Sequence, residues 1–345
     1  MSLLAAGIDL AERAPLPDMA LKFGVGALVE NARRRLVNQP VDMEAEFARQ
    51  MEQHPIAENT DAANAQHYEL PQAFFGLVLG PRRKYSSCLY EGPFSTLPEA
   101  EDAALFTTCA HADLQDGQSV LELGCGWGSL SLWMAQNYPY AAITSVSNSH
   151  SQRAYIEAQA RARGLTNLTV ITADMNDFAA DARFDRVVSV EMFEHMSNWR
   201  SLLENVRGWL KPDGRLFIHI FTHRSTPYRF DHTDDADWIG RYFFTGGIMP
   251  SHGLIGCFPD LFTLERDWVW NGRHYERTAL DWLANFDRHN AEIMGILREM
   301  YGADAELWRK RWRLFFLATA GLFGARGGEP WGVSHYRLKP TGKSG

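Results

Sequence analysis

Short apolar runs alternate with amphipathic stretches from about residue 117 onward. The connecting stretches space their apolar side chains as a helix does, and SLSLWMAQNY and SHSQRAYIEAQARARG are two examples. Strands and helices in alternation indicate a parallel sheet with helices on its faces. The apolar runs are SVLELG, AITSVS, LTVITA, FDRVVSV and RLFIHIF.

The chain beyond residue 222 departs from this alternation. An aromatic-rich insertion, at about 222–262, precedes an apparent strand, FTLERDWVWNGRHYERT, over residues 262–278. A helical segment, at about 278–325, separates that strand from a last one, WGVSHYRL. This late pair of strands fits a sheet that is finished by an antiparallel edge.

The first 80 residues have a different pattern. ALVENARRRL and MEAEFARQMEQH show helical spacing and no strand signal. The polar stretch PIAENTDAANAQHYELP is typical of a linker or loop. We therefore predict a helical N-terminal extension and lid over residues 1–80, and a main α/β domain over residues 81–345.

Composition and charge exclude several classes of function. The 345 residues are 46% hydrophobic and 22% charged, as in ordinary enzymes. A formal net charge of −8 offers no basic face to nucleic acid, and short basic runs such as Arg82–Lys84 are typical of solvated surface. No apolar run reaches the roughly 18 residues of a membrane span, and the N-terminus lacks the basic start of a signal peptide. We expect no nucleic-acid partner and no stable membrane insertion.

The cysteines carry little chemistry of their own. The four, at positions 88, 109, 125 and 257, form no CxxC pair, so no metal site is expected. Scattered cysteines in a chain without a secretory segment favour a reducing compartment, and the expected location is the cytoplasm. The sequence leaves the oligomeric state, including a homodimer, open.

A glycine loop follows the first predicted strand, in the stretch LELGCGWGSL. Gly124, Gly126 and Gly128 permit backbone conformations and close ligand approaches that a side chain would block. Dinucleotide loops have the pattern GxGxxG, and Ser129 stands where the third glycine should be. Glu122 suits a ligand with an ammonium group, so the loop favours S-adenosylmethionine (SAM) over NAD. A merely tight turn between strand and helix is the structural alternative.

Polar groups also follow the next two predicted strands. Asn148 and Gln152 lie just beyond the second strand, where they would suit ribose hydroxyl groups. Asp174 and Met175 follow the third strand, where an adenine amino group and ring could be held. The alternative is helix capping, by residues such as Ser151.

The stretch VVSVEMFEHM places charged groups at the end of a buried strand. Val190 ends the apolar run and is expected beside the cofactor, and Glu191, Glu194 and His195 follow it. Burying such groups without partners is costly, so their clustering indicates a functional site. The carboxylates could attract an ammonium group, and an imidazole, with its usual pKa of about 6.5, could accept a proton at neutral pH. The structural alternative is that Glu194 bonds backbone amides and His195 fills a packed site.

These motifs resemble the coclaurine N-methyltransferase group. Those plant enzymes methylate benzylisoquinoline amines and belong to the cyclopropane-fatty-acid synthase-like methyltransferases. The resemblance runs from HYELPQAFFGLVLGPRRKYSSCLY to GEPWGVSHYRL, nearly the whole chain after residue 66. It implies a SAM-methyltransferase (Rossmann-like) fold, an α/β architecture with helices on both faces of a mostly parallel, seven-stranded sheet. The SAM contacts that it implies are Ser87, Gly124, Gly126, Asn148, Gln152, Asp174 and Met175.

The resemblance also implies catalytic roles for Glu191, Glu194 and His195. The broader synthases hold a bicarbonate ion as base, with a Cys, a Glu, a His and a Tyr. They have glycine where this chain has Glu191, and that difference favours the amine-methylating group. Cys88 by itself is typical of a small buried thiol rather than a nucleophile. The positions that match the ion-binding set are Cys88, Glu194, His219 and Tyr275.

The aromatic segment DWIGRYFFTGGIMPSHGLIGCFPDLF offers candidate substrate contacts. Its rings could give an aromatic amine an apolar wall and exclude water. Tyr242, Phe243 and Phe244 are the candidates, although they cannot all face one ligand. Core packing of an inserted subdomain is the alternative.

The sequence therefore predicts a SAM-dependent N-methyltransferase that acts on a small aromatic or alkaloid-like amine. A second hypothesis is modification of lipid acyl chains with a bicarbonate base, against which Glu191 and the lack of a basic amphipathic face argue. A third is a SAM-binding regulatory protein without turnover, against which the base candidates argue.

Overall fold

Seven strands form one central sheet in the computed structural model, which describes Gly7 and residues 11–37, 42–58, 70–231, 233–234 and 237–342. Two further short strands pair with each other outside it. In chain order the strands are β1 (Ser119–Leu123), β2 (Ala142–Ser147), β3 (Leu168–Thr172), β4 (Phe184–Val190), β5 (Leu210–His223), β6 (Tyr228–Arg229), β7 (Ile248–Met249), β8 (Phe262–Asn271) and β9 (Trp331–Pro340).

The order across the large sheet is β3-β2-β1-β4-β5-β9-β8. The first five of these strands pair in parallel, so all five predicted apolar runs are confirmed as strands of one parallel sheet. The antiparallel strand is β9, which lies between β5 and β8. The expected antiparallel edge is therefore confirmed: the edge strand β8 pairs antiparallel with β9, and β9 pairs antiparallel with β5.

Helices cover both faces of the sheet, as the resemblance implied. No helix among the described residues is both long and apolar enough to cross a bilayer. The α-helices are α1 (Asp18–Val37), α2 (Met43–Met51), α3 (Gln72–Val78), α4 (Leu97–His111), α5 (Ser129–Asn137), α6 (His150–Ala162), α7 (Trp199–Trp209), α8 (Trp238–Tyr242), α9 (Arg273–Arg288), α10 (Asn290–Tyr301) and α11 (Ala305–Gly324).

Alternation along β4 shows how the two faces are filled. Val188 belongs to a buried cluster with Leu105 of α4, on one face of the sheet. Its neighbour Val187 belongs to a different cluster, with Leu202 and Val206 of α7. Successive side chains of a strand point to opposite faces, so one apolar run serves both helical layers.

The N-terminal helices pack onto the main domain. Val25 of α1 lies in the same buried cluster as Phe315 of α11, and Phe47 of α2 lies in the cluster that contains α7. Ala57 forms an isolated bridge with Met196, beside the end of β4. Part of the predicted loop over residues 55–71 lies outside the described residues.

The predicted strand over residues 262–278 was too long. Strand β8 ends at Asn271, and helix α9 begins at Arg273. Between them, a Cβ on Gly272 would lie 2.2 Å from the carbonyl oxygens of Phe323 and Trp331, so only glycine fits the turn. The Asn271 side chain then accepts the backbone N–H of Arg273 at 2.9 Å, which satisfies a free donor at the helix start.

Candidate active site

An open cleft lies at the carboxyl ends of β1 to β4, where α/β sheets bind their ligands. Its empty space, including the part that is open to solvent, is about 770 Å³. Ala57 and Glu58 line it from the N-terminal part of the chain, and Thr245 lines it from the aromatic insertion. The sequence-predicted residues that line it are Gly124, Gly126, Asn148, Gln152, Asp174, Met175, Glu191 and His195.

The glycine loop between β1 and α5 forms one wall of the cleft. Gly126 has φ of +51°, and apart from Gly126 and its two chain neighbours no heavy atom of the described residues lies within 4 Å of the position that its Cβ would take. The loop therefore leaves open space on the cleft side at Gly126. Gly128 has another role, because its Cβ would lie 2.5 Å from the Cγ1 of Ile156 on α6. The sequence predicted a ligand contact at Gly128, whereas in the structure Gly128 allows close packing of the loop against α6.

Glu122 lies beneath the loop and does not line the cleft. Its carboxylate accepts hydrogen bonds from the hydroxyls of Ser131 and Ser145, the latter at 2.8 Å. Burial raises the pKa of Glu122 to about 7. Alternation along β1 puts Glu122 on the face covered by α5, so it faces Ser131 rather than the ammonium group expected from the sequence.

Gln152 presents an unsatisfied donor at the cleft. Its Oε1 accepts a hydrogen bond from the Ser147 hydroxyl at 2.6 Å, whereas its Nε2 has no hydrogen-bond partner among the described residues. Buried amide groups are normally paired, so this nitrogen is suited to a ligand atom. Together with the open space at Gly126, it fits the cleft to a cofactor of the predicted kind. The cap of α6 is Ser149 rather than Ser151.

The Glu191 carboxylate is held by donors from three distant segments. Its Oε1 accepts the backbone N–H of Ser87 at 3.0 Å and lies 3.3 Å from the Nε2 of His219. Its Oε2 accepts the hydroxyl of Tyr275 at 2.7 Å. The backbone at Glu191 has φ of +45°, which is strained for a residue with a side chain and persists only where the surroundings hold it.

Glu191 and Glu194 share a buried environment but differ in how strongly each holds a proton. Burial raises the pKa of both carboxyl groups. The charge of Glu191 raises that of Glu194 further, whereas Lys84, Ser87 and Tyr275 draw the pKa of Glu191 back down. The Oε2 of Glu194 has no hydrogen-bond partner among the described residues. Of the two carboxyl groups, Glu194 thus holds its proton more strongly, and Glu191 is the one that ionises first.

Lys84 is a buried cation beside this site. Its Nζ donates to the Ser87 carbonyl at 2.6 Å and to the Ser86 hydroxyl at 2.5 Å. The sequence interpretation of Arg82–Lys84 as solvated surface is wrong for Lys84, which is 1% exposed. Its nearness in sequence to the YSSCLY motif was the signal that could have found it.

The three aromatic candidates for substrate contact have different surroundings. Phe244 stacks on the imidazole of His195, with ring centroids 4.7 Å apart, so it reaches the edge of the cleft. Phe243 is fully buried and stacks on Phe315 at 4.5 Å. Tyr242 lies under the guanidinium of Arg311, 3.8 Å from its ring centroid. The two expected contacts at Tyr242 and Phe243 therefore lie in the packed subdomain, because successive side chains of this turn point in different directions.

Residues 57–327 match the mycolic acid cyclopropane synthetase family. The chain belongs to this family. It is 34% identical over 324 residues to the (S)-coclaurine N-methyltransferase of Thalictrum flavum subsp. glaucum, which covers 92% of this chain and 88% of that protein. It is 35% identical over 276 residues to the (S)-coclaurine N-methyltransferase of Papaver somniferum, which covers 79% of each.

A crystal structure of coclaurine N-methyltransferase, bound to N-methylheliamine and SAH, has the same fold. Its TM-score is 0.94 at 31% sequence identity, and the match covers 98% of this chain and 100% of that one. The predicted resemblance and the predicted methyltransferase fold are both confirmed.

In this member of the cyclopropane synthetase family, the Glu191 carboxylate contacts groups that the sequence hypothesis also assigned to a bound bicarbonate ion. His219 and Tyr275, two of the positions that resemble a bicarbonate site, both contact Glu191. Cys88 lies next to Ser87 in the chain and is fully buried, and burial raises the pKa of its thiol to about 12. Val190 does not line the cleft and packs against the buried cluster of α4 and α5.

Proposed function

We propose that the chain is a SAM-dependent N-methyltransferase that acts on a small aromatic or alkaloid-like amine. The observation that carries this proposal is the Glu191 carboxylate, an anion fixed by Ser87, His219 and Tyr275 at the cleft. A carboxylate at the cleft attracts positive charge, and a protonated amine would bring one in addition to that of the nearby Lys84. The match to an N-methyltransferase that is 34% identical over 92% of this chain supports the same reaction.

The cofactor is proposed to lie along the glycine loop. When bound, SAM supplies a methyl group for in-line transfer to a neutral nitrogen. Gly126 leaves the backbone approachable, and the unpaired Nε2 of Gln152 can donate to a ligand oxygen. The SAH-bound relative supports this cofactor. The residues proposed to hold it are Gly124, Gly126, Asn148, Gln152, Asp174 and Met175.

The substrate nitrogen must lose a proton before its lone pair is available. An alkyl ammonium group has a pKa of roughly 10.4, so an amine arrives charged at neutral pH. Glu191 binds that charge, and His195, which lines the same cleft, accepts the proton. Glu194 keeps its own proton, which prevents two buried anions from repelling each other.

The acceptor of the proton is itself positioned. Phe244 lies nearly parallel to the His195 ring, with an angle of 17° between their planes. The stack fixes the imidazole and extends an apolar surface next to it, which suits an aromatic amine. Holding the nitrogen near the methyl donor then contributes much of the rate, because orientation alone is worth about 7–11 kcal/mol in the best cases.

Lipid acyl-chain modification is the competing function, since the family includes cyclopropane synthetases. It would need an anion bound as base between groups such as His219 and Tyr275. The Glu191 carboxylate occupies the donors of both residues, so this chain supplies its own anion. That occupancy favours the amine.

An assay of SAM consumption tests the proposal. Wild-type enzyme is given a panel of benzylisoquinoline and simpler aromatic amines, and separately phospholipid vesicles with unsaturated acyl chains. We expect methylated amine and unchanged lipid. Glu191→Gln keeps the shape and removes the charge, which for a buried pair is worth roughly 3–5 kcal/mol, or about two to three and a half decades of amine turnover. Lipid modification, or undiminished amine turnover in the variant, would contradict the proposal.

Three further expectations extend this proposal. We place the protein in the cytoplasm, which is supported by the free thiols of all four cysteines. We also propose that it works without nucleic acid and can form a homodimer. Sedimentation of the purified protein, with and without duplex DNA, tests both expectations of assembly.

A further inference from the structure

Three histidines extend the hydrogen bonds of Glu191 away from the cleft. His219 Nε2 lies 3.3 Å from Glu191 Oε1, and His219 Nδ1 lies 2.7 Å from His335 Nε2. His335 Nδ1 in turn lies 2.8 Å from His111 Nδ1. Both nitrogens of His219 and both of His335 are used, so the contacts form one unbroken chain from Glu191 to His111.

This chain of hydrogen bonds leads from the interior of the protein towards solvent. His219 and His335 are fully buried and stand opposite each other in the register of β5 and β9. His111, the last residue of α4, is only half-buried. Its ring stacks on Trp268, with centroids 3.8 Å apart and planes 7° from parallel. His111 is therefore the end of the chain that water can reach.

The direction of these bonds is tied to the charge of Glu191. A neutral imidazole has one N–H and one lone pair, so all the bonds in the chain must point the same way. An ionised Glu191 only accepts, which selects the arrangement in which each ring donates towards it. In the reverse arrangement Glu191 is the acid and donates to His219.

Conversion between the two arrangements moves one proton across each bond. A proton from water binds His111 Nε2, and the His111 Nδ1 proton passes to His335. A His335 proton then passes to His219, and a His219 proton passes to Glu191. Protonation of buried Glu191 is thus equivalent to uptake of one proton at His111.

Nearby cations oppose that uptake. Burial and the guanidinium groups of Arg266 and Arg337 lower the pKa of His111 to about 4. Lys84 faces the buried part of the chain and, after burial, lowers the pKa of His219 as well. These charges disfavour an added proton anywhere along the chain, so they favour the arrangement with ionised Glu191.

We propose that His219, His335 and His111 form a positioning chain that keeps Glu191 ionised for the substrate ammonium group. His335 and His111 touch neither cofactor nor substrate in this proposal and act through His219. The proposal does not include export of a proton at every catalytic cycle, because the packed imidazole rings would have to rotate between cycles. The proposal rests on the proposed amine methylation, but the chain can be tested without substrate.

His111→Phe is the main test, because it keeps the stack on Trp268 and removes the nitrogens. Without its outer anchor the chain can reverse, and the pKa of Glu191 should rise. We expect the acid limb of the kcat/KM profile to move to higher pH. Activity should fall several-fold near pH 6 and approach the wild-type value near pH 9, with SAH affinity unchanged. His111→Asn, whose amide nitrogen can replace Nδ1, should restore most of the profile.

His252→Phe is the matched control. His252 bonds Ser334, the neighbour of His335 in β9, at 2.9 Å, but it lies outside the chain. A loss from disturbed packing alone should lower activity evenly across pH in either variant. Superimposable pH profiles for His111→Phe and His252→Phe would overturn the proposal.

Nitrogen-15 NMR of the histidine rings gives a readout without turnover. In the wild type we expect His219 and His335 to carry their protons on Nε2 and His111 to carry its proton on Nδ1. In His111→Phe we expect His219 and His335 each to show a mixture of the two tautomers. Opposite tautomers in the wild type, or unchanged tautomers of His219 and His335 in the variant, would overturn the proposed positioning chain. Predicted tautomers in a protein that methylates no amine would instead overturn the proposed function.

Discussion

Tyr275 donates its hydroxyl hydrogen to Oε2 of Glu191 across 2.7 Å, although 84 residues separate the two in sequence. Burial and the Glu191 charge raise the pKa of Tyr275 well above its usual range, so the hydroxyl stays protonated and available as a donor. The same bond lowers the pKa of Glu191, against the effect of burial. The charge state of the proposed substrate-binding carboxylate thus depends on a residue of α9.

Tyr275→Phe should make Glu191 harder to ionise. A hydrogen bond to a charged group is worth about 1.5–3 kcal/mol, so the acid limb of kcat/KM should move up by about one to two pH units. The variant ring can still stack on Phe323, whose centroid is 4.4 Å away, so the fold should persist. Rates measured from pH 5 to 10 check this, and an acid limb that stays in place would show that Tyr275 does not set the charge.

Glu191→Gly should create a dependence on bicarbonate. Glycine adopts the φ of +45° without strain, and its lack of a side chain frees the donors of Ser87, His219 and Tyr275 for an ion. We expect amine turnover to fall by about two decades or more and to recover partly when bicarbonate is added to degassed buffer.

Glu191→Gln is the control for that experiment, because its amide still fills the space between the donors. It should show the loss without the recovery, and wild-type enzyme should not respond to bicarbonate. If Glu191→Gly folds and binds SAH but ignores the ion, the Glu191 carboxylate has a role that a free anion cannot replace.

Gly126→Ala should weaken SAH binding at least tenfold. Its added methyl group would enter the open space of the cleft, where the proposal places the cofactor. Gly164→Ala is a matched control, since Gly164 has φ of +67°, is exposed and does not line the cleft. Both variants should lose about 1–2 kcal/mol of unfolding free energy from strain, and calorimetry should find weaker binding in Gly126→Ala alone. Equal SAH affinity in the two variants would remove the cofactor from this loop.

Glu122→Gln should change how stability depends on pH. The folded pKa of Glu122, about 7, lies above the ordinary glutamate value of 4.5, so the protonated carboxyl favours the fold. That contribution is present below about pH 4.5 and is lost as the pH rises through 7. Urea unfolding should find the variant about as stable as wild type at pH 4.5 but roughly 3 kcal/mol more stable at pH 8.

The SAH affinity of Glu122→Gln separates the two placements of this side chain. Glu122 lies off the cleft, so affinity should stay within about twofold of wild type. Glu101, whose pKa burial also raises to about 7, remains in both proteins and contributes the same slope to each. A large loss of affinity would return Glu122 to the ligand, and equal stability at pH 8 would mean that its charge is tolerated.

Features with a local period or a local motif could be predicted from the amino-acid sequence. Apolar runs such as the one ending at Val190 predicted the five parallel strands, because a strand buried on both faces must be apolar at nearly every position. The glycine loop and the Glu191–His195 cluster were equally visible, since their residues are neighbours in the chain. Six cleft-lining positions besides Glu191 and His195 were also found this way.

The distant groups that contact those local features became known from the folded structure. Nothing in the sequence periodicity places His335 against His219 or Lys84 near Glu191, because these contacts depend on strand order and on burial from other elements. Strand alternation turned Glu122 inward, towards α5 rather than the cleft. The end of β8 was likewise decided by Gly272, whose missing side chain leaves room for two carbonyl oxygens from other parts of the chain. Contacts across the fold leave no periodic trace along the chain, so they had to be read from the folded protein.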